Sequence, residues 1–568
     1  MGRMTRQRLH FLTRQPRFIL RVFVATLAAG MLMAWVVGKM NPVNSAAQVE
    51  MDLNDITGED RESVRPESVS DLREEAFAAL LPKPLTEEAL VTWLGELRKR
   101  EFPLHALSEA PMLSLKELSD LSDWWEDLTT MECRDLALRA LAAAKLPADR
   151  ELVFQQFINA TWLEGPLRMQ AQEALQAVAQ QEPLVPLANV LLGEMWLNFH
   201  GAEAALAAFT REGARPEAAW ARQQALSLCV QHRLERPLRD LLQQPLYEAE
   251  RAALSLSERS QTALVLGEYG ELLRVHLEVS WQSVRAYPTE TCAALLCGII
   301  WFVMLHQLGG MRMRGAWLSG LAVGLGLLSP TITLFIMALQ EHVGGLAQNG
   351  QLNNDLLYFV AGVGLREECS KLLLFAPLLW LLRGKSEAVI LVTAGCVGLG
   401  FAVEENVNYF VHGLGDAPLA RLVSANFMHV ALTALAGLAL ARWVRYPKSC
   451  WESGLATIVT MIVLHGLYDF TIEARTPMAA FSLGSFPAII LLGLAHYFLT
   501  QLKQVRLAQG NIVAPLFAFL LGLAVLCSFA LIAATLESGF RQALLSLVAS
   551  GLGSVFLIFM FCHHLHRE

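Results

Sequence analysis

The sequence predicts an all-α protein: a polytopic membrane helix bundle of about ten spans, with an extracytoplasmic all-helical domain inserted after the first. Three observations predict it. The 568 residues are 54 % hydrophobic and only 17 % charged, a balance ordinary for multi-spanning proteins and unusual for soluble ones. The apolar residues gather in runs of about 20, the length that crosses the hydrocarbon core. Lysine and arginine cluster in alternate loops between those runs.

Taken in order, residues 1–38 hold a basic start and a first anchor. Arg3, Arg6, Arg8, Arg14, Arg17 and Arg21 precede or open the run FILRVFVATLAAGMLMAWVVG, with no acid among them. This run reads as an uncleaved anchor; a signal peptide cut near NSAAQ at 44–48 is the alternative, and both export the region C-terminal to it. Residues 39–75 are acidic and polar and read as a linker. Residues 76–285 place Leu and Ala at spacings of three and four, the mark of helices. Within them, WLNFHGAEAALAAFTREGARPEAAWARQQALSLC is similar to the paired short helices of tetratricopeptide-type solenoids. No fixed period of about 34 residues aligns, and any all-helical domain shows the same pattern.

From about residue 288 the chain is almost continuously apolar. The expected spans are 18–38, 288–308, 315–340, 355–382, 387–411, 418–443, 453–472, 478–501, 512–536 and 541–564. Residues 286–500 form the polar-bearing core, and 501–568 add two further spans. The basic start, Arg312 and Arg314, Arg383 and Lys385, Arg442, Arg445 and Lys448, Lys503 and Arg506, and Arg567 mark one side. The intervening loops hold only Arg475 and Arg541. By the positive-inside rule both termini face the cytoplasm of a cell (inner) membrane, and 39–285 is extracytoplasmic.

The formal net charge of −8, without a long basic block, argues against nucleic-acid partners. The nine cysteines form no CxxC pair, so zinc ribbons and thioredoxin-like motifs have no support. Cys133 and Cys229, the two in the exported region, can pair or stay as buried thiols. No catalytic signature falls in 76–285, which leaves a binding or regulatory role toward a protein partner.

Charge inside the bilayer costs about 2.5–3.5 kcal/mol per residue, so intramembrane ionisable groups are functional candidates. Here they are confined to four consecutive spans. LREECSKLLLFAPLLWLL carries Arg366, Glu367, Glu368 and Lys371; GFAVEENVNYF carries Glu404, Glu405, Asn406 and Asn408; His429 comes next with Asn426; His465 comes with Asp469. At 1.5 Å per residue, Glu368, Glu405, His429 and His465 all lie about 10–20 Å below the outer surface. They form one layer. Glu367 and Lys371, four apart, share a helix face and can neutralise each other, which would leave Glu368 free for chemistry. His465 and Asp469 stand in the same relation, so Asp469 can orient the imidazole. A structural ion pair is the plain reading of Glu367–Lys371 alone; it does not account for the four groups together.

At these residues the chain resembles the PrsW intramembrane proteases, kin of the type II CAAX prenyl endopeptidases and the bacteriocin-processing membrane proteins. EExxK is matched by Glu367, Glu368 and Lys371, and FxxxEN by Phe401, Glu405 and Asn406. A lone histidine is matched by His429, and HxxxD by His465 and Asp469. Each motif is weak alone; the ordered set is specific, and it covers about 288–500. The large exported domain departs from the short family members. The resemblance implies hydrolysis of a peptide bond in a membrane-anchored protein, near the extracytoplasmic side of the bilayer.

Two schemes stay open. In one, Glu368 is general base on water, Glu367 is tied to Lys371, and His429, His465 and Asn406 stabilise the oxyanion. Glu368 and Glu405 would then titrate as a coupled unit. In the other, Glu405, His429 and His465 hold zinc and Glu368 remains the base. An aspartyl protease finds GLGD at 413–416 and Tyr468–Asp469, but in reversed order. HExxH is absent, and no GxSG lies in a span. An ion-coupled transporter using the same carboxylates and histidines is the alternative from another class, though spans eight to ten show no matching second set of charges. A catalytically silent scaffold is a third reading.

Overall fold

A computed structural model describes residues 3–40, 80–100, 125–311, 316–411, 417–473, 486–507 and 513–566. The linker at 39–75, with the NSAAQ stretch, lies outside these residues from 41 on. Outside them too are Arg312, Arg314, Arg475, Arg567 and the GLGD stretch with Asp416. The described chain is helical and contains no strands. It forms two compact units, Met1–Gly58 with Tyr269–Glu568, and Glu59–Glu268.

In the Glu59–Glu268 unit, short helices pack chiefly on their chain neighbours. Helical hairpins begin at Thr130, Gly165, Ala202 and Glu235. Their starts are roughly 35 residues apart, close to a tetratricopeptide-type period that sequence spacing alone does not align. Among the described residues, three of the helices start on a threonine or serine cap: Thr86, and Thr129 with Glu132 and Ser255 with Glu258, each of the last two forming a capping box. The core is apolar and continuous, from Leu90 and Trp93 through Phe154, Phe157 and Phe209 to Tyr247. One ion pair is buried in it. Arg222 meets Glu250 at 2.8 Å and donates to the carbonyls of Gly213, Arg215 and Pro216, so the charge is compensated on every side. Cys133 and Cys229 are buried free thiols, and burial pushes the Cys229 thiol up to about 12. This unit ends before residue 269. The boundary expected at 285 falls later because the helix Tyr269–Ala286 belongs with the other unit.

That second unit contains α1 (Arg3–Leu12), α2 (Pro16–Met40), α3 (Tyr269–Ala286), α4 (Pro288–Leu308), α5 (Trp317–Gly344), α6 (Leu365–Phe375), α7 (Glu387–Val411), α8 (Ala417–Val423), α9 (Ala425–Arg445), α10 (Pro447–Glu473), α11 (Phe486–Val505), α12 (Pro515–Ser538) and α13 (Phe540–His566). Among the described residues, 9 helices are long and apolar enough to cross a membrane. The expected tenth, 355–382, is helical but not an uninterrupted apolar span. It runs as Leu352–Leu357, a π-helical segment Tyr358–Gly364, α6, and a last turn Leu378–Leu381 after Pro377. Its five charges, Asp355, Arg366, Glu367, Glu368 and Lys371, and its breaks set it apart from a plain apolar span. Its charged face is buried in protein, while Leu373 and Trp380 stay exposed.

α7 is the axis of this unit, enclosed by α5 and α9, with α10 completing the wall beyond α9. Its glycines permit that. A Cβ on Gly398 would overlap the carbonyl oxygen of His429, so α7 and α9 meet backbone to backbone at the level of the polar layer. The apolar faces of α4, α7, α9 and α12 fuse into one core.

Candidate active site

The site begins with a backbone irregularity. The π-helical segment Tyr358–Gly364 puts an extra residue into the turn before α6. Gly364 touches the backbone of Ile462 and Gly466 in α10, and Gly466 in turn touches Phe359 and Val360; a side chain at either glycine would overlap main-chain atoms. This close approach carries the first turn of α6 against His465. Ser370 bonds Thr333 of α5 at 2.6 Å and pins the other side of α6.

Lys371 lies at the centre, fully buried. Its Nζ is 2.9 Å from Glu368 Oε1, 3.3 Å from Glu367 Oε2 and 3.0 Å from His429 Nδ1. The Phe401 ring centroid is 3.9 Å away, so the motif phenylalanine offers a π face to the buried cation. Glu368 is fully buried as well. Its oxygens take Lys371, His465 Nδ1 at 2.8 Å and the Thr433 hydroxyl at 3.3 Å. His465 turns its Nε2 toward Glu367 and Asp469, each at 3.3 Å. His429 Nε2 is 2.9 Å from Glu405 Oε2, and the two imidazoles stand 5.2 Å apart. All nine residues singled out by the motifs are thus accounted for, and eight of them form one connected cluster. Asn406 donates to Asn426 at 2.8 Å and joins the cluster through Arg421, which donates to its Oδ1 and meets Glu405.

The division of labour between the two adjacent glutamates differs from the expected one. Lys371 is three residues from Glu368 and four from Glu367, and both spacings lie on one helix face, so it binds both. Glu368 is not free; it has no exposed surface, and its oxygens are taken up by Lys371, His465 and Thr433. Glu367 keeps 12 % side-chain exposure, Asp469 18 % and Glu405 25 %, whereas Lys371, His429 and His465 keep 3 % or less. The cluster therefore has a dry floor of Glu368, Lys371, His429 and His465, and an acidic rim of Glu367, Glu405 and Asp469.

Arg421 of α8 closes the rim, and the motifs do not include it. Its guanidinium is 2.6 Å from Glu405, donates to Asn406 Oδ1 and lies over the Tyr409 ring at 3.7 Å. The signal is present in the sequence as an arginine inside the 418–443 run. Ser280 of α3 is a second such residue. It donates to Glu404 at 3.0 Å, tying α3 to the helix turn that carries Glu405.

For a metal, the donor atoms of Glu367, His429 and His465 lie within 4.8 Å of one another; Glu367, not Glu405, is the carboxylate so placed. His465 fits such a role, with Nδ1 held by Glu368 and Nε2 turned toward Glu367 and Asp469 at the rim. His429 does not. An ammonium can only donate, so Nδ1 must accept from Lys371, and the ring proton then sits on Nε2 toward Glu405. Neither nitrogen has a lone pair to spare. Lys371 already stands where it neutralises the carboxylates, and the arrangement does not fit a bound ion.

A buried carboxylate–imidazole cluster inside a multi-helix membrane bundle defines the class: an intramembrane hydrolase. Residues 314–499 match the family described as "PrsW family intramembrane metalloprotease". This segment is a PrsW-like intramembrane protease domain, and the chain is a multi-pass membrane protein. No curated protein and no solved structure matches the chain.

Proposed function

We propose that the domain hydrolyses a peptide bond of a membrane-anchored protein near the extracytoplasmic face, with Glu367 as the base that activates water. The supporting observation is the split between floor and rim: Glu367 is the motif carboxylate that both borders the buried cation and keeps exposed surface. Glu367 takes a proton from water as the oxygen attacks the scissile carbonyl carbon. The oxyanion that forms accepts from the Nε2–H of His429, which turns from Glu405. Collapse breaks the C–N bond, and the proton held on Glu367 passes to the leaving amine. Glu368 holds Lys371 and His465 in place throughout. Arg421 keeps Glu405 and Asn406 at the rim.

The topology that goes with this reading has both termini cytoplasmic in a cell (inner) membrane and Glu59–Glu268 outside, where its helical hairpins would meet the substrate or a regulatory protein. The loop charges support that orientation. The competing metal-dependent reading draws on the closeness of Glu367, His429 and His465 and on the family's description. Comparison of membrane proteomes from wild-type and Glu367→Gln cells tests the proposal. Single-pass proteins should accumulate uncut in the variant; identical proteomes would refute it.

A further inference from the structure

We infer that a cleft formed by the turn between α1 and α2 together with α2, α12 and α13 binds one anionic phospholipid, its headgroup against Arg14 and an acyl chain between α2 and α12. The cleft encloses about 590 Å³, within the range of roughly 300–1,000 Å³ that ligand sites occupy. Its lower wall is apolar: Ile19, Leu20 and Phe23 from α2, Leu516 and Leu520 from α12, and Leu565 from α13. Its mouth carries Arg14 and His566, and among the described residues no carboxylate lines it. Arg8 and Arg17 lie on the same end of the chain.

The walls are held by specific contacts. Thr13 in the turn between α1 and α2 accepts from the Ala514 amide at 3.2 Å, which locks that turn to the start of α12. Phe18 stacks on Phe517 at 5.8 Å, and Ser528 donates to the Thr26 carbonyl further along. The cleft is also remote from the protease cluster. Gly309 at the end of α4 meets Val392 near the start of α7, and Leu507 donates to its carbonyl just before α12. Glu405 lies toward the other end of α7.

An apolar slot open along its lipid side, with Leu20 exposed and the Arg14 guanidinium at the rim, matches an acyl chain below a phosphate. Basic pockets between membrane helices recognise anionic headgroups in this way. Among the described residues the charge of the lining has one sign, which selects the anion: a choline or ethanolamine headgroup would bring its own cation to Arg14 without a partner. This site does not depend on the protease reading.

Native mass spectrometry of the delipidated full-length protein, with equimolar phosphatidylglycerol and phosphatidylcholine, tests the inference. Wild type should retain one phosphatidylglycerol in preference to phosphatidylcholine, and Arg14→Glu should lower that retention about 5-fold or more, as expected for loss of one cation at a lipid surface. Arg14→Lys should keep it. Leu520→Trp, which fills the slot and leaves the charge, should lower retention too and carries the test if Arg14→Glu does not fold. Soluble glycerol phosphate at millimolar concentration should not bind. Equal retention of both lipids, unchanged retention in Arg14→Glu or Leu520→Trp, or displacement of the lipid by glycerol phosphate would overturn the assignment.

Discussion

Lys371 Nζ sits 3.0 Å from His429 Nδ1, and the same ammonium contacts both glutamates of the EExxK motif. One buried cation thus sets the tautomer of the histidine on α9 and neutralises the carboxylates on α6. The stability of the site and its chemistry rest on the same group.

Removing that cation leaves two carboxylates in the protein interior with only His465 and Thr433 as partners. Lys371→Met should cost about 3–5 kcal/mol, the penalty for breaking a buried pair. Thermal unfolding in detergent measures it. Adding Glu368→Gln to Lys371→Met should recover part of the loss, because one of the stranded charges goes with it.

Arg421 positions the rim and contributes nothing to the floor. Arg421→Gln should leave the fold intact and lower cleavage about 100-fold, the scale of a small misplacement of reacting groups. Arg421→Lys should rescue only part of it, since an ammonium cannot span Glu405 and Asn406 as the planar guanidinium does. Turnover of a protein that accumulates in Glu367→Gln cells, read beside a melting curve, separates the two effects.

Gly364 and Gly466 let α10 approach the π-helical segment. Gly466→Ala should destabilise the protein by about 1–3 kcal/mol, as overpacking does, and should lose activity with it. Equal melting temperatures for variant and wild type would refute the close-approach account.

In the Glu59–Glu268 unit, the Cys229 thiol is pushed up to about 12 by burial from an ordinary value of 9.0. The neutral thiol is the form the fold favours. Its contribution to stability is therefore complete below pH 9 and declines as pH rises through the folded value near 12. At pH 8 a maleimide should leave Cys229 unlabelled in the folded full-length protein while labelling exposed Cys292; peptide mapping reads the result. Labelling of both at equal rates would contradict the buried state.

The parts of this molecule that rest on local pattern are legible in the sequence. Apolar runs locate the helices of the membrane unit, and i, i+4 spacing pairs His465 with Asp469 as the structure does. Depth counting groups Glu368, Glu405, His429 and His465 together, and the four belong to one cluster around Lys371. Tertiary contact is a different matter. The π-helical turn at Tyr358–Gly364 packs where Gly364 meets Gly466, roughly a hundred residues away along the chain. Lys371 also has an i−3 partner, and counting only i−4 misassigns Glu368 as the free carboxylate. Arg421 lies in no motif, and its role shows only where α8 sets it against Glu405 and Asn406. The helical hairpins of the Glu59–Glu268 unit repeat in space while their loops vary in length, which blurs the period in sequence.

The central claim is that this cluster cleaves peptide bonds with Glu367 as base and Lys371, not a metal ion, as its cation. The most direct measurement is the cleavage rate of an accumulating single-pass protein, co-reconstituted with purified enzyme in proteoliposomes containing a metal chelator. The account predicts an undiminished rate for wild type and a loss of about 10²–10⁴-fold for Glu367→Gln. Loss of wild-type cleavage in chelator with recovery on adding zinc, or a Glu367→Gln rate equal to wild type, would contradict it.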